Sequence, residues 1–559
     1  MFLTFSMVAA VAGCGSTADS GATEAAKEPV ETKAAAAEAE TAESTAAEAE
    51  ANAAEVIDPL GPFEETVTIT TVTRGHSTAI YPEGDNATSN VYTRAWKDKL
   101  NIDVEFLWES ADEYDTKLNL AIASGQIPDV FECNAEQLQQ LMEADMLMDL
   151  SDVYEEYASD RLKKYQSDYA DVYATAMDGE ALYGIPEMDF MYVNQPQLLW
   201  IRNDWKEELG LKDPETIEDL EEMCLAFMES GKSEYGMAVR KSLDELINLA
   251  PAWQAYPLNW VKEEDGSIVF GGVQEEMKDA LAVWADWYQK GIIDPDFAVK
   301  EWADLTESFI NGKAGIDVMA TWFGYSPCKN VIENQGNEAI FYAYAIPSAT
   351  GEEVLPALTF SNKVYTVVSK DCENPGAVIK ILNFYAYMQE DAYAWGDVDV
   401  DTALGFKSNG MMHIVPFRIM NPDDNYNNYI VANKAVNIGD ESVLTTSTYR
   451  EIYGLLTGWA NNQDPTCVGG FLQYDDEVGA LSVNSKILEE ERYIKDAVWG
   501  KTPEVVSEYG SVLSDLLKEG WTKIITGQED IEYFDTLVEN WKTAGGDECT
   551  QAINEEFGQ

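Results

Sequence analysis

The sequence predicts an α/β fold in two lobes, and three observations carry this prediction. Residues 66–143 follow a β-α-β-α-β order of patterns, which is typical of a parallel sheet flanked by helices. After an N-terminal low-complexity stretch, about 500 residues remain, which is more than one hydrophobic core usually supports. A long extended run, MYVNQPQLLWIR at 191–202, then leads from the first group of strands into a second group of elements.

The elements of the first region follow from local patterns. TVTITTVT at 66–73 alternates as a strand, and the segment 91–108 is predicted to form a helix followed by a strand. Leu118, Ala121 and Ile122 share one face of the next helix, which Gly125 should end. PDVF at 128–131 is a short buried strand, and another helix follows it. After the run at 191–202, Asn203 or Asp204 is expected to cap the helix NDWKEELG.

Polar and aromatic side chains follow these strands at the points where the strands end. In parallel sheets, ligands bind outside the carboxyl ends of the strands. Six residues fall at such ends and are candidates for ligand binding: Arg74, His76, Trp108, Glu109, Glu132 and Asn134. The alternative for each one is an ordinary solvent-facing loop position.

The N-terminus resembles an export signal of a bacterial lipoprotein. Residues 1–14 form a short apolar run that ends in small residues before Cys14, a pattern similar to a lipobox in which this cysteine would be acylated. No Lys or Arg precedes the run, which departs from the usual signal. Residues 15–62 are rich in Ala and Glu and nearly free of packable side chains, which predicts a disordered tether. A thiol in a core helix is the alternative for Cys14.

Composition excludes several classes of partner and chemistry. The formal net charge of −65 disfavours nucleic acid and anionic lipid headgroups. With two histidines, no P-loop and no CxxC pair, the chain offers little material for a metal site or a Ser-His-Asp triad. DVDVDTALGFKS, from Asp397, lacks the Gly and Glu of a calcium loop. We expect no cofactor, no metal and no catalytic residue.

Beyond Cys14, six cysteines are scattered through the chain. They are Cys133, Cys224, Cys328, Cys372, Cys467 and Cys549. Scattered buried thiols are the favoured interpretation, although disulfides remain an alternative outside the cell.

Several segments resemble a known family in sequence and in order. They include LNLAIASGQIPDVFECNAEQLQQLMEADM, DGEALYGIPEMDF, LLWIRNDWKEELGLKDPETIEDLEEM and FINGKAGIDVMATWFGYSP. They are similar to extracellular solute-binding proteins of bacterial ABC transporters, in the carbohydrate-binding group, and most of all to long LplA-type lipoproteins. The resemblance covers the chain from about residue 63 onward.

The resemblance implies a type II periplasmic-binding-protein fold, in which hinge crossovers join two α/β lobes around a ligand cleft. The first lobe would comprise residues 63–187 and 361–430, and the second 188–360 and 431–559. Such a protein would capture a carbohydrate, expected to be an oligosaccharide, and deliver it to ABC permease subunits. It would be a monomer without enzymatic activity, lipid-anchored at the extracellular face of a Gram-positive cell membrane. A receptor for a peptide or another small solute, and a surface glycoside hydrolase, are the alternatives.

A sugar-binding site needs aromatic rings that stack on the sugar and planar polar groups that bond its hydroxyls. The family resemblance implies which positions of this chain supply them. Trp322 is the strongest candidate, because it follows a buried strand where relatives carry a stacking Trp. Asp189 matches a polar contact at the hinge, and Trp253 with Tyr256 forms an aromatic loop that faces the cleft or makes a small satellite core. The remaining candidates are Trp395, Asn362, Phe417 and Arg418. Trp200 and Arg202 are expected to pack at the crossover.

Overall fold

The computed structural model describes residues 57–75, 81, 83–110, 113–188, 194–360, 362–390, 415–500 and 502–558. The predictions for Cys14, His76, Asp189, Trp395 and the segment after Asp397 lie outside these described residues, as does most of the predicted tether. From Asp58 onward the chain forms one compact unit.

The first two strands form the parallel pair that the alternating pattern predicts. Strand β1 is Val67–Thr73 and strand β2 is Ile102–Glu109, paired from Val67 opposite Ile102 to Thr73 opposite Glu109. Between them run the helix Val91–Ala95 and the π-helical turn Trp96–Leu100. The predicted order of strand, helix and strand is confirmed.

The third strand departs from the predicted parallel sheet. Strand β3, Val130–Cys133, pairs antiparallel with a strand far along the chain, Tyr365–Val368. The carboxylate of Asp129 instead accepts the Thr70 N–H at 2.8 Å and the Thr70 hydroxyl at 2.7 Å, so β1 and β3 are linked through a side chain. The prediction that β3 pairs within a parallel sheet was wrong, because its paired neighbour is β13, which runs antiparallel to it.

The other strands form short mixed sheets. In chain order they are β4 (Met177–Asp178), β5 (Ala181–Leu182), β6 (Gly184–Pro186), β7 (Leu198–Arg202), β8 (Trp260–Lys262), β9 (Ile268–Phe270), β10 (Ile316–Met319), β11 (Phe341–Tyr344), β12 (Ala357–Leu358), β13 (Tyr365–Val368) and β14 (Ile494–Lys495). Strand β13 lies between β3 and β6, and β7 lies between β10 and β11 with antiparallel pairing throughout. Strands β12 and β14 pair in parallel.

The helices of the first region are Tyr114–Ser124, Ala135–Glu143, Ser151–Tyr157, Asp160–Asp168 and Ala170–Ala174. The helix Tyr114–Ser124 ends at Gly125 with a positive φ of 68°, as predicted. The later helices are Asn203–Glu208, Ile217–Glu229, Asp244–Leu249, Glu275–Lys290, Trp302–Ile310, Cys328–Gln335, Gly376–Glu390, Asp424–Ile438, Ser447–Asn462, Val468–Tyr474, Ala480–Glu489, Glu504–Ile525, Tyr533–Trp541 and Asp547–Phe557.

Strand β7 and the helix after it are held by buried contacts. Trp200 is buried and donates its indole N–H to the Met319 carbonyl at 3.1 Å, and Arg202 is buried over the ring of Trp205. Both therefore serve packing, as expected. The predicted cap was wrong: no side chain caps the helix Asn203–Glu208, because the Asp204 carboxylate pairs with the Arg202 guanidinium at 2.8 Å.

The buried hydrophobic side chains of the described residues fall into separate clusters. Two clusters draw their buried members from residues 69–188 and 365–420. Three others draw theirs from residues 198–346 and 429–553. Strand β7 begins the second set, and strand β13 returns the chain to the first.

The six cysteines among the described residues are all free thiols, five of them buried and Cys467 half-buried. The interpretation as scattered thiols is confirmed. Within the described part of the chain, no helix combines the length and apolarity that crossing a bilayer requires.

Candidate ligand-binding site

Trp322 stands out of a short helical turn at the end of a buried strand. All four residues of β10 are buried, and the turn Thr321–Gly324 follows it. Thr321 and Phe323 point into the protein, whereas Trp322 exposes 45% of its surface. The Thr321 hydroxyl donates to the side-chain oxygen of Asn194 at 2.9 Å, which ties this turn to the segment before β7. An indole face is thereby presented to solvent on a rigid support.

A cavity of about 410 Å³ lies against this ring. Its lining combines aromatic and apolar groups with a group of neutral amides. The lining residues are Asn194, Gln195, Gln197, Ile247, Asn248, Pro251, Ala255, Tyr256, Pro257, Leu258, Asn259, Ala320, Trp322, Ile346, Pro356, Ala357 and Thr359. Aromatic plates and planar amides are the groups that suit a ring bearing many hydroxyls.

Hydrogen bonds fix the orientation of several of these amides. The Gln195 side chain accepts from the Thr359 N–H at 2.8 Å and donates to the Thr359 carbonyl at 2.9 Å. Asn248 donates to the Val318 carbonyl at 3.1 Å. Asn259 donates to the carboxylate of Asp496 at 2.9 Å, and burial raises the pKa of Asp496. The polar groups of the cavity are therefore positioned before any ligand arrives.

Behind Trp322 lies a buried charged group. Trp302 meets Trp322 edge to face, and the Arg240 guanidinium lies 5.1 Å from the centre of the Trp302 ring. Arg240 Nε is 2.6 Å from a carboxylate oxygen of Glu245, which is fully buried. Burial raises the pKa of Asp317 on β10 well above its usual value, and the neighbouring charge of Glu245 raises this pKa further.

A second group of polar residues gathers where β3 and β6 end. Burial raises the pKa of Glu132, although its carboxylate accepts the Phe417 N–H at 3.1 Å. The Arg418 guanidinium pairs with Glu187 at 2.6 Å. The Asn362 side chain accepts the Met188 N–H at 2.9 Å. These residues come from four separate stretches of the chain, and the fold brings them to one edge of the β3-β13-β6 sheet.

The other strand-end candidates are placed around this group. Arg74 lies over the Tyr114 ring at 4.3 Å and pairs with both carboxylate oxygens of Asp115. Tyr114 in turn donates its hydroxyl to the Glu132 carbonyl at 2.8 Å. The indole of Trp108 packs against Tyr114, with ring centroids 5.3 Å apart.

Other predicted residues have clear structural roles. Asn134 caps the helix Ala135–Glu143 by accepting the Gln137 N–H at 2.9 Å. Gly75 has a positive φ of 57°, and a Cβ added there would lie 2.8 Å from a carboxylate oxygen of Glu109, so Glu109 packs against this glycine. Trp253 is buried in the core against Trp284, with ring centroids 6.0 Å apart, whereas its neighbour Tyr256 lines the cavity. The two residues of this aromatic loop thus face different surroundings.

Sequence reasoning missed most of the amides of the cavity. Asn194, Gln195 and Gln197 lie in the run NQPQ, whose pattern predicts only extended backbone before β7. A cluster of three amides around a proline in an otherwise apolar run was the available signal. Asn248 and Asn259 carried no local signal, since each is placed by tertiary contacts.

The fold and this amide-lined cavity define a protein that holds a small solute. Residues 82–392 match the model of the bacterial extracellular solute-binding protein family. The chain belongs to this family. Its fold is the α/β fold of periplasmic solute-binding proteins, as predicted.

Two curated relatives come from Bacillus subtilis (strain 168). "Lipoprotein LipO" is 23% identical over 491 residues, covering 81% of this chain and 86% of the relative. "Polygalacturonan/rhamnogalacturonan-binding protein YtcQ" is 27% identical over 230 residues, covering 39% of this chain and 44% of the relative. Among solved structures, an "HMO binding ABC-transporter associated Solute Binding Protein" of Bifidobacterium longum infantis has a TM-score of 0.61 at 14% identity, over 89% of this chain and 99% of that chain. At that identity the likeness shows the fold alone.

Proposed function

We propose that this protein is the substrate-binding component of an ABC importer that captures an oligosaccharide. The observation that carries the proposal is the exposed indole of Trp322 beside a cavity lined by neutral amides. An aromatic ring at the mouth of a concave cavity that also holds several fixed polar groups is the arrangement typical of a small-molecule site. The CH face of a sugar ring fits this indole, and its hydroxyls fit the amides.

The relatives support the same class of ligand. YtcQ is named for binding polygalacturonan and rhamnogalacturonan, and the Bifidobacterium protein is described as HMO-binding and associated with an ABC transporter. We carry over from them the general class, a carbohydrate, and the delivery of the bound ligand to permease subunits in the membrane.

The proposal includes two lobes, residues 63–187 with 361–430 and residues 188–360 with 431–559. The separate hydrophobic clusters support this division. The bond from Met188 N–H to Asn362 joins the two points where the chain would cross between lobes. Closure around such crossovers would bring Glu132, Arg418, Arg74 and Asn362 toward a ligand bound at Trp322. Asp189, His76 and Trp395 are proposed as further contacts.

The protein performs no chemistry in this proposal, and its work is a difference in affinity between open and closed forms. It acts as a monomer at the extracellular face of the membrane, held there by acylation of Cys14. The name of LipO, a lipoprotein, supports this anchor.

A thermal-shift screen tests the function directly. Oligosaccharides, peptides and amino acids are added to the purified protein, since a ligand that binds the folded state raises its Tm by mass action. We expect oligosaccharides alone to raise the Tm. A shift with peptides or amino acids alone would contradict the proposal, and the appearance of new reducing ends during incubation would contradict the absence of enzymatic activity.

A further inference from the structure

The described residues that line the cavity carry no formal charge. Its polar side chains are the amides Asn194, Gln195, Gln197, Asn248 and Asn259, the phenol of Tyr256 and the hydroxyl of Thr359. Among the lining residues that the structure describes there is no Lys, Arg, Asp or Glu. An amide offers a hydroxyl both a donor and an acceptor, but it offers a carboxylate no compensating charge.

The two arginines at the strand ends already have carboxylate partners. Arg74 is paired with both oxygens of Asp115 at 3.1 and 3.0 Å, and Arg418 is paired with Glu187 at 2.6 Å. The half-buried Glu132 lies close enough to both arginines for their charges to lower its pKa, against the larger effect of burial. A uronate entering from this side would therefore compete with existing acidic partners.

Strand β14, which pairs with the lining strand β12, carries one basic residue, Lys495. Lys495 on β14 pairs with Leu358 of β12, and its ammonium lies 4.9 Å from the centre of the Trp499 ring. The next residue is Asp496, whose carboxylate accepts from the cavity amide Asn259. Neither Lys495 nor Asp496 lines the cavity, and the acidic one already bonds to a lining amide.

We propose that the site selects neutral oligosaccharides and discriminates against those that carry carboxylates. This inference rests on the proposed function and adds the chemical class of the sugar. A buried carboxylate without a cation loses hydration that the amides do not replace. The net charge of −65 further opposes the approach of a polyanion. The ligand would thus differ from the polygalacturonan for which the relative YtcQ is named.

Matched sugar pairs test the inference by calorimetry. Neutral trisaccharides, among them maltotriose, cellotriose, xylotriose and kestose, are screened first. Each one that binds is compared with its C6-oxidised carboxylate form, or with trigalacturonate where it has no oxidisable C6 hydroxyl. We expect the carboxylate form to bind at least about tenfold more weakly, with the difference narrowing as salt screens the repulsion.

The outcomes separate the two claims. Equal or tighter binding of the carboxylate form, or binding of trigalacturonate alone, would overturn the inference and leave the proposed function intact. If no saccharide binds, neutral or acidic, the proposed function is overturned, and so is the inference that rests on it.

Introducing a positive charge into the cavity gives a second, independent test of the selectivity for neutral sugars. Leu258 lines the cavity and exposes 48% of its surface, so a substitution there should not disturb the core. Leu258→Lys is expected to raise the affinity for the carboxylate form by about two- to fivefold, the size of an exposed ion pair, whereas Leu258→Gln is the neutral control. An unchanged ratio of acidic to neutral affinity in Leu258→Lys would show that charge does not set the selectivity.

Discussion

The indole of Trp322 meets the indole of Trp302 edge to face, with ring centroids 5.5 Å apart and an interplanar angle of 62°. The face of Trp302 carries the guanidinium of Arg240, which is in turn held by the buried Glu245. Trp302 therefore lies between the exposed ring of Trp322 and the ion pair formed by Arg240 and Glu245. This support explains how a large aromatic side chain keeps a fixed orientation while it faces solvent.

Replacing the exposed ring should weaken binding while leaving the fold intact. We expect Trp322→Ala to weaken oligosaccharide binding about ten- to a hundredfold, because the stacking surface is lost. The Tm should fall by only a few degrees, because Trp322 is 45% exposed and its edge-to-face contact with Trp302 contributes only about 0.5–1.5 kcal/mol. Calorimetry and thermal unfolding measure the two effects. Val299→Ala is the control, because Val299 is 76% exposed and does not line the cavity; equal affinity of Trp322→Ala and wild type would remove Trp322 from the site.

Replacing Trp302 should weaken binding indirectly, because Trp302 holds the indole of Trp322 in its orientation. An edge-to-face aromatic pair contributes about 0.5–1.5 kcal/mol, so Trp302→Ala is expected to weaken binding by roughly two- to tenfold. Trp302→Phe keeps an aromatic edge against Trp322 and should recover most of the affinity. Near-ultraviolet circular dichroism reports the loss of the indole pair. If Trp302→Phe binds the oligosaccharide as weakly as Trp302→Ala does, the aromatic contact with Trp322 is not what maintains binding.

The buried acid on β10 predicts a pH dependence of stability. The pKa of Asp317 is raised well above its usual 3.8, so the folded state holds a proton that the unfolded state releases. The free energy of unfolding therefore decreases as pH rises from the unfolded pKa to the folded pKa. Asp317→Asn keeps an oxygen that can accept the Val318 N–H, which now bonds at 2.8 Å, and removes this dependence. We expect its Tm gain over wild type to grow with pH.

Thermal unfolding from pH 4 upward measures this gain. Asp286→Asn is the control, because Asp286 is exposed and pairs with Lys290 at the surface. A wild-type protein whose Tm does not fall relative to Asp317→Asn would show that Asp317 is not held protonated in the fold.

The bond between the two proposed crossovers should affect both stability and binding. Asn362→Ala leaves the buried Met188 N–H without its acceptor, which costs about 1–3 kcal/mol of unfolding free energy. Denaturant unfolding measures this loss, and calorimetry should show weaker binding as well. Asn433→Ala is the matched control, since Asn433 is buried and bonded within the other set of clusters, to Tyr429 and Tyr474. Equal effects of both variants on binding would contradict a special role for Asn362.

Local patterns predicted the elements well where neighbours in sequence determine them. The parallel pair β1 and β2, the helix that ends at Gly125 and the buried strand before Trp322 were all confirmed. The partner of β3 was not predictable, because β13 lies far along the chain and no local pattern links the two strands.

The candidate site was predictable only in part. Trp322 was found because it directly follows a buried strand, a feature visible in the sequence. The amides Asn248 and Asn259 come from a helix and a loop whose approach depends on the whole fold. The support of Trp322 by Arg240 and Glu245 was hidden for the same reason, since these residues precede it in the chain by many elements.

A crystal structure with a bound oligosaccharide tests the central claim most directly. The oligosaccharide that gives the largest thermal shift is the one to use. The account predicts a sugar ring lying parallel to the exposed indole of Trp322, with its hydroxyls bonded to Asn194, Asn248 or Asn259. A sugar bound elsewhere, with no contact to Trp322 or to these amides, would contradict it.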